Sequence, residues 1–440
     1  MGAVNNIKFS MDNFKKAVQS GLFLPDSFSY SFVDAAKFEA FKCQQEWNVS
    51  KITDTFEQLR QRMSRSYFDK VILAQTCALD YAALQFPAYS MLITEDLIED
   101  WLAIVDFHKK HSRDHSLHQP LTAYIAASLL GYGDSAKSLA IPASTGNLLD
   151  YCVDVIFTSK DAVYIREVAA SHGLPATMLQ DNPAARKFWK GLFYRAVVLS
   201  ALFHDVGYPW QYIDRIGTSL KQNVNVLHSK NSIASNIINK FKDSMILLPL
   251  RHYKTNYANE VIDVNEELYH DVEIALSTHG FPGAIAFLSL SDVIRRGLSN
   301  HPAALTQGFI VEWASMGIFM HDMAGKYKDQ KTKLRVDILQ DPLSAIISFS
   351  DYLEEFERPK VLFRSQKNQS CMTYHKDCSM VKVCVDSDRN LVIEMKYINK
   401  TSKAIAARFK KEESDTYFNQ GDGYVNLYPL GIKNIICKQK

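Results

Sequence analysis

Residues 202–210 read LFHDVGYPW, with His204 and Asp205 side by side at the end of the apolar run FYRAVVLSALF. Two ionisable groups closing an apolar helix are costly to bury unpaired, so the pair either caps the helix or holds something charged. The chain has thirteen histidines, and context sorts them. RDHSLHQPLTAYIAASLLG places His115 and His118 at the start of a helix. STHGFPGAIAFLSL puts His279 just before a helix rich in small residues. GIFMHDMAG ends an apolar helix on His321, with Asp322 beside it, and DPLSAIISFSDYLEEFERP carries Asp351 in a helix whose preceding turns are apolar. Each group sits where an apolar helical face begins, ends or is interrupted, so each is expected to point to an interior. Taken singly, plain readings exist: His204 as a helix C-terminal cation beside a surface Asp205, His279 as a loop histidine, Asp351 as a cap. Taken together, imidazoles and carboxylates converging from helices of one core are the ingredients of a metal site. A mixed His/carboxylate set suits Mn, Fe, Ni, Zn or Mg rather than a thiolate-preferring ion. Neighbours on a helix lie about 100° apart, so His204 could bind one ion while Asp205 bridges to a second.

The ordered set His … His-Asp … His … His … Asp resembles the HD-domain metal-dependent phosphohydrolase superfamily, in its expanded form that holds two metals. RDHSLHQPL is similar to the family's first histidine segment, which assigns a ligand to His118 with His115 as its rival. LFHDVGYP matches the signature doublet at His204 and Asp205, HGFPGAIAFL is similar to the second-metal histidine at His279, and MHDM suggests His321. ILQDPLSAIISFSDYLEEFERP is similar to the closing segment, with Asp351 as the last ligand. The resemblance spans roughly residues 112–360 and implies two divalent ions, Asp205 bridging them. His118, His204 and Asp351 would hold one, and His279 and His321 the other. The reaction implied is hydrolysis of a phosphoester by a metal-activated water, on a nucleotide-like substrate: a cyclic nucleotide, a (deoxy)nucleoside phosphate or a nucleic-acid end. Asp205 and the cations Lys230, Lys326 and Arg358, neighbours of the motifs in sequence, are the catalytic candidates, the cations to offset phosphoryl charge.

Two features depart from the family pattern. The stretch between His118 and His204 is long and implies an insert, placed in the loops around 131–185. Gly207-Tyr208-Pro209 spells the name of a group of bacterial cyclic-dinucleotide phosphodiesterases, but there it belongs to a separate downstream motif. Here it is read as a helix stop, Gly allowing a left-handed cap and Pro preventing continuation. Two other function classes stand beside the enzyme: a nucleotide- or metal-sensing regulatory or scaffold protein acting on a partner through its C-terminal part, and a metal-dependent nuclease.

The elements that must position these residues are mostly helical. Of 440 residues, 47% are hydrophobic and 22% charged, an ordinary globular balance. The net charge of +2 argues for no extended nucleic-acid groove. Nucleic acid is therefore a less favoured partner than a small phosphorylated one. Helical spacing runs through LTAYIAASLL, KFWKGLFYRAVVLSALF, HDVEIAL, GAIAFLSLSDVIRRGL, FIVEWASMGIFMH and PLSAIISFSDYLEEF, and earlier through SYFDKVILAQTCALDYAALQF and TEDLIEDWLAIVDFHKK. After Pro359, MVKVCV-DSDRN-LVIEMKYI reads as a hairpin and YVNLYPLGIKNIIC as strand. The expected architecture is mainly α: a helical N-terminal extension (1–111), a helical HD-type core (112–360) and a small β-containing α+β unit (361–440). Seven scattered cysteines, no apolar leader and no run of eighteen apolar residues give reduced thiols in a soluble, cytoplasmic protein as the default, with no membrane partner. Cys371, His375, Cys378 and Cys384 lack a paired C-x-x-C knuckle, and the cysteines among them read as buried thiols of a small β unit rather than a zinc site. RHYKTNYANE, around His252, reads as a solvated loop.

Overall fold

A computed structural model describes residues 6–19, 115–131, 138–144, 146–208, 230–241, 244–250, 264–297, 302–323, 335–355, 378–398, 400–420 and 423–440. In chain order, β1 (Ile7–Phe9) and α1 (Met11–Gln19) come first. They are followed by α2 (His115–Leu130), α3 (Leu148–Thr158), α4 (Val163–Ser171), α5 (Ala176–Leu179) and α6 (Pro183–Phe203). Next are α7 (Lys230–Phe241), α8 (Val264–Ala275), α9 (Gly280–Gly297) and α10 (Pro302–Met320). β2 (Val336–Asp337) precedes α11 (Pro342–Leu353). The hairpin strands β3 (Cys378–Val385) and β4 (Asn390–Tyr397), then α12 (Lys400–Phe418), β5 (Val425–Asn426) and β6 (Asn434–Gln439), complete the order. The chain is therefore mainly helical with a small, largely C-terminal sheet.

Its contacts divide it into two units. The first takes residues 1–152, 349–420 and 427–440. Its sheet has the order β1-β3-β4-β6, with β1 and β4 antiparallel to β3, and β6 parallel to β4. Alternation sets its buried face: Val381, Val383, Leu391, Ile393 and Met395 are buried, as the period of two requires. Phe9 and Phe14 meet Tyr124 edge-on, with ring centroids 5.8 and 5.4 Å away, and so anchor α2 beside the first strand. Phe349 and Tyr352, in the last turns of α11, pack on Phe418 of α12.

The N-terminal segment, expected to be helical, thus begins with a strand. Ile7 and Phe9 are buried while Lys8 is exposed, and three residues are too short a run for alternation to announce a strand from sequence. The expected helices over 67–110, the loop around His252, and Cys371 and His375 lie outside the described residues. Cys152, Cys378, Cys384 and Cys437 are free thiols. Burial pushes the Cys152 and Cys378 thiols up, which keeps them protonated and inert.

The second unit takes residues 153–348 and 421–426. The insert expected as loops around 131–185 contains α3, α4 and α5. α6 opens on Asn182, whose side chain accepts the Ala185 N–H, with Pro183 in the first turn, a strong start signal. Apart from Glu312, which pairs with His172 at 2.7 Å, and Ser315, α10 is apolar from Phe309 to Met320, and all of these residues but Glu312 are buried, which makes it the central helix. Trp313 of α10 packs against Trp189 and Phe193 of α6, centroids 5.8 and 5.5 Å apart. Further along, Ser200 Oγ donates to the Ala314 carbonyl at 2.7 Å. A Cβ on Gly317 would stand 2.7 Å from that Ser200 Oγ and 2.3 Å from Leu343 Cδ2, so glycine is what lets α6 and α10 approach there. These contacts run α6 and α10 in the same direction, and both helices end at the same place. No helix among the described residues is long and apolar enough to cross a membrane.

Candidate metal centre

Three helix ends meet in the second unit. α6 stops at Phe203, and residues 204–207 form a turn that puts His204 and Asp205 inside, both fully buried. α10 stops at Met320 and delivers His321, 2% exposed. α9 starts at Gly280 and is preceded by His279, 4% exposed. Two glycines permit this convergence. A Cβ on Gly207 would lie 1.9 Å from the His279 carbonyl oxygen, and one on Gly280 would lie 2.7 Å from the Phe319 carbonyl. Tyr208 stacks on the His279 ring at 3.8 Å and 18°. Tyr424 donates its hydroxyl to the Met320 carbonyl and holds the end of α10.

The Gly-Tyr of the LFHDVGYP stretch therefore differs from its expected role. Gly207 does not adopt a left-handed conformation; its missing side chain seats the turn against the start of α9. Tyr208 braces an imidazole. Pro209 lies outside the described residues.

The imidazoles are oriented alike. His204 Nδ1 lies 2.9 Å from the Ala201 carbonyl, and His321 Nδ1 lies 2.6 Å from the Ile318 carbonyl. A carbonyl only accepts, so each Nδ1 carries the proton and each Nε2 presents a lone pair, the tautomer being assigned from these partners. His279 Nδ1 faces Asp322 Oδ2 at 2.8 Å, and the same oxygen accepts the His279 backbone N–H at 2.9 Å. The three Nε2 atoms then crowd one carboxylate. His279 and His321 Nε2 are 3.0 Å apart, and they stand 2.9 and 3.3 Å from Asp205 Oδ1. His204 Nε2 is nearer the other oxygen, 3.6 Å from Asp205 Oδ2. The rings of His204 and His321 meet edge-on at 4.8 Å.

Lone pairs this close repel unless a cation or proton sits among them. The C-terminal ends of α6 and α10 add partial negative charge at the same point. His279 shows the demand for positive charge. Burial disfavours its imidazolium, yet Asp322 and then Asp205 outweigh burial and push the group up to about 9. Burial likewise disfavours the Asp322 carboxylate, and His279 more than compensates, so Asp322 falls below the usual carboxylate range. Ligand atoms of His204, Asp205 and His321 lie mutually within 4.8 Å, close enough to hold a metal ion. Imidazoles with Nδ1 fixed by a carbonyl or carboxylate, and Nε2 turned inward, form the outer support that metal-ligating histidines carry. The donor set fits a borderline divalent ion.

A second group lies in the first unit. His118, in the first turns of α2, is 1% exposed. Its Nδ1 faces Glu354 Oε2 at 2.6 Å, and its Nε2 faces Asp351 Oδ1 at 3.0 Å. Asp351 is in the last turn of α11, with Glu354 just beyond it. The orientation matches the other three imidazoles: one nitrogen held by an outer group, the other turned to a carboxylate.

Among the residues singled out from sequence, the fold brings together His204, Asp205, His279 and His321 in one unit, and His118 with Asp351 in the other. His115 begins α2 and Lys230 begins α7; their side chains, like Lys326 and Arg358, lie outside the described residues. Glu354 and the orienting role of Asp322 were not anticipated. Their one sequence signal is adjacency, Asp322 following His321 and Glu354 standing one helical turn after Asp351. No family model, curated protein or solved structure matches this chain.

Proposed function

We propose that the chain is a divalent-metal hydrolase, and within that class an HD-type phosphohydrolase that cleaves a phosphoester of a nucleotide-like substrate. The observation that carries the proposal is the set of three buried Nε2 atoms, each with its Nδ1 already engaged, around the single carboxylate of Asp205. The two Asp205 oxygens face different imidazoles, Oδ1 towards His279 and His321, Oδ2 towards His204, which suits a bridging carboxylate. The sequence resemblance adds His118 and Asp351 as further ligands. Divalent ions held by this set would supply Lewis acidity to a phosphoryl oxygen and lower the pKa of a water to near neutrality. The protein's own part is to fix the imidazoles with each Nε2 turned inward. Asp322 accepts the Nδ1–H of His279, the Ala201 and Ile318 carbonyls accept those of His204 and His321, and burial excludes competing water.

Metal analysis of the purified protein tests this directly. About two transition-metal ions per chain are expected, and both should be lost in His204→Ala/Asp205→Ala. A wild-type protein that carries none and binds no added Mn²⁺ overturns the proposal. Turnover with Mn²⁺ is then read on bis-p-nitrophenyl phosphate, cyclic mono- and dinucleotides, dNTPs and single-stranded DNA. Full metal loading without turnover of any of these would leave a sensor, not an enzyme.

A further inference from the structure

The end of α11 concentrates negative charge. Asp351, Glu354 and Glu355 fall within five residues, at a helix C-terminus whose own dipole is negative. Glu354 and Glu355 are 1% and 2% exposed. The Glu354 N–H still reaches back to the Ser350 and Asp351 carbonyls at 3.1 and 3.2 Å, so the segment keeps a helical turn through its acidic residues. His118 bridges Asp351 and Glu354 on one side. On the other side stands Lys410 of α12, 2% exposed. An ammonium has three donors, and three oxygens surround this one. Glu355 Oε1 and Glu413 Oε2 are each 2.7 Å away, and the Tyr352 carbonyl is 3.2 Å away. The Tyr352 ring lies beneath the same nitrogen at 4.2 Å.

We infer that Lys410 is a positioning residue for the His118–Asp351–Glu354 group. It holds the Tyr352 carbonyl and the Glu355 carboxylate, which flank Glu354, and so sets where the last turn of α11 presents Asp351 and Glu354 to His118. α12 and the sheet it packs on are then a support of the ligand group rather than an appendage. This deepens the metal-centre proposal and rests on it, but the geometry at His118 can be read without metal.

Lys410→Met keeps the length of the side chain and removes the charge; Lys411→Met, at the exposed neighbouring position, is the control. With Mn²⁺ alone in equilibrium dialysis, Lys410→Met should weaken binding of one ion on the order of tenfold, the low end for loss of an outer support. Lys411→Met should bind like wild type. In metal-free protein, diethyl pyrocarbonate with peptide mapping should find His118 protected in wild type and in Lys411→Met, and labelled in Lys410→Met. A Lys410→Met protein that melts lower, yet binds Mn²⁺ like wild type and keeps His118 protected, would confine Lys410 to stability and overturn the inference. A wild type that binds no Mn²⁺ sinks the metal-centre proposal, and the labelling result alone then decides the role of Lys410. If Lys410→Met does not fold, the isosteric Glu355→Gln takes its place with the same two readouts, and no change in either overturns the inference.

Discussion

Asp322→Asn would probe the electrostatics of the centre with little change of shape. Asp322 Oδ2 accepts both the ring and the backbone N–H of His279, and an amide oxygen can accept both as well. What is lost is the charge. The rise of His279 from 6.5 to about 9 corresponds to about 3 kcal/mol in favour of the imidazolium, at about 1.36 kcal/mol per pKa unit. Asp322 is the first of the charges that raise it, so much of that stabilisation should disappear with Asp322. The folded value lies above the ordinary one. The stabilisation is therefore fully present below pH 6.5 and is lost as pH rises through about 9. Metal-free wild type should lose melting temperature across that window, and metal-free Asp322→Asn should lose much less. A metal ion replaces the proton and draws on the same carboxylate, so Mn²⁺ affinity should fall roughly 10- to 100-fold. The assays are melting temperature against pH for metal-free protein, Mn²⁺ competition with a fluorescent chelator, and the His279 Cε1–H resonance followed by NMR. An affinity within about twofold of wild type, with an unchanged melting profile, would show that Asp322 does not tune the site.

Other substitutions probe the scaffold. Gly207→Ala forces a Cβ to 1.9 Å from the His279 carbonyl and 2.6 Å from the Gly283 nitrogen. It should cost about 1–3 kcal/mol or more in denaturant unfolding and weaken Mn²⁺ binding, whereas wild-type stability would mean that the turn is not seated there. Trp313→Ala removes the ring between Trp189 and Phe193 and should cost about 3–5 kcal/mol. Metal stoichiometry in the folded protein should be unchanged, and loss of metal would tie the aromatic layer to the centre directly. Tyr208→Leu removes the ring stacked on His279. It should cost on the order of 1 kcal/mol and shift the His279 ring resonances, which would stay in place if the stack were absent in solution.

Much of the site's ingredient list could be read from residue types and their place on helices. His204-Asp205, His279 and His321 fall where apolar helical faces begin or end, and that position is a local property of sequence. The hairpin of β3 and β4 was equally legible, because its alternation and turn are contiguous. β1 was not: its partner β3 is supplied from the far end of the chain, and no local pattern encodes that pairing. Gly207 was misread because a glycine after a helix has two physical uses, positive φ and close approach, and the neighbour that decides between them is His279, remote in sequence. Lys410 was invisible for a similar reason. In RFKKEES nothing separates the buried Lys410 from the exposed Lys411 except which side of α12 meets Glu355 and Tyr352.

The edges of the first unit's sheet also order the protein's assembly in time. β1 comes from residues 7–9 and β6 from residues 434–439, so a ribosome releases these two edges far apart, and the sheet stays incomplete until β6 has emerged. The second unit draws on the unbroken stretch 153–348 and only afterwards on 421–426. During vectorial synthesis, His204, Asp205, His279 and His321 are all outside the ribosome while Lys410 and β6 are still to be made. A nascent chain stalled after residue 348 would carry all four imidazoles but neither Asp351 nor Glu354, and ribosome-bound intermediates of defined length could be used to watch the centre acquire its ligands in sequence.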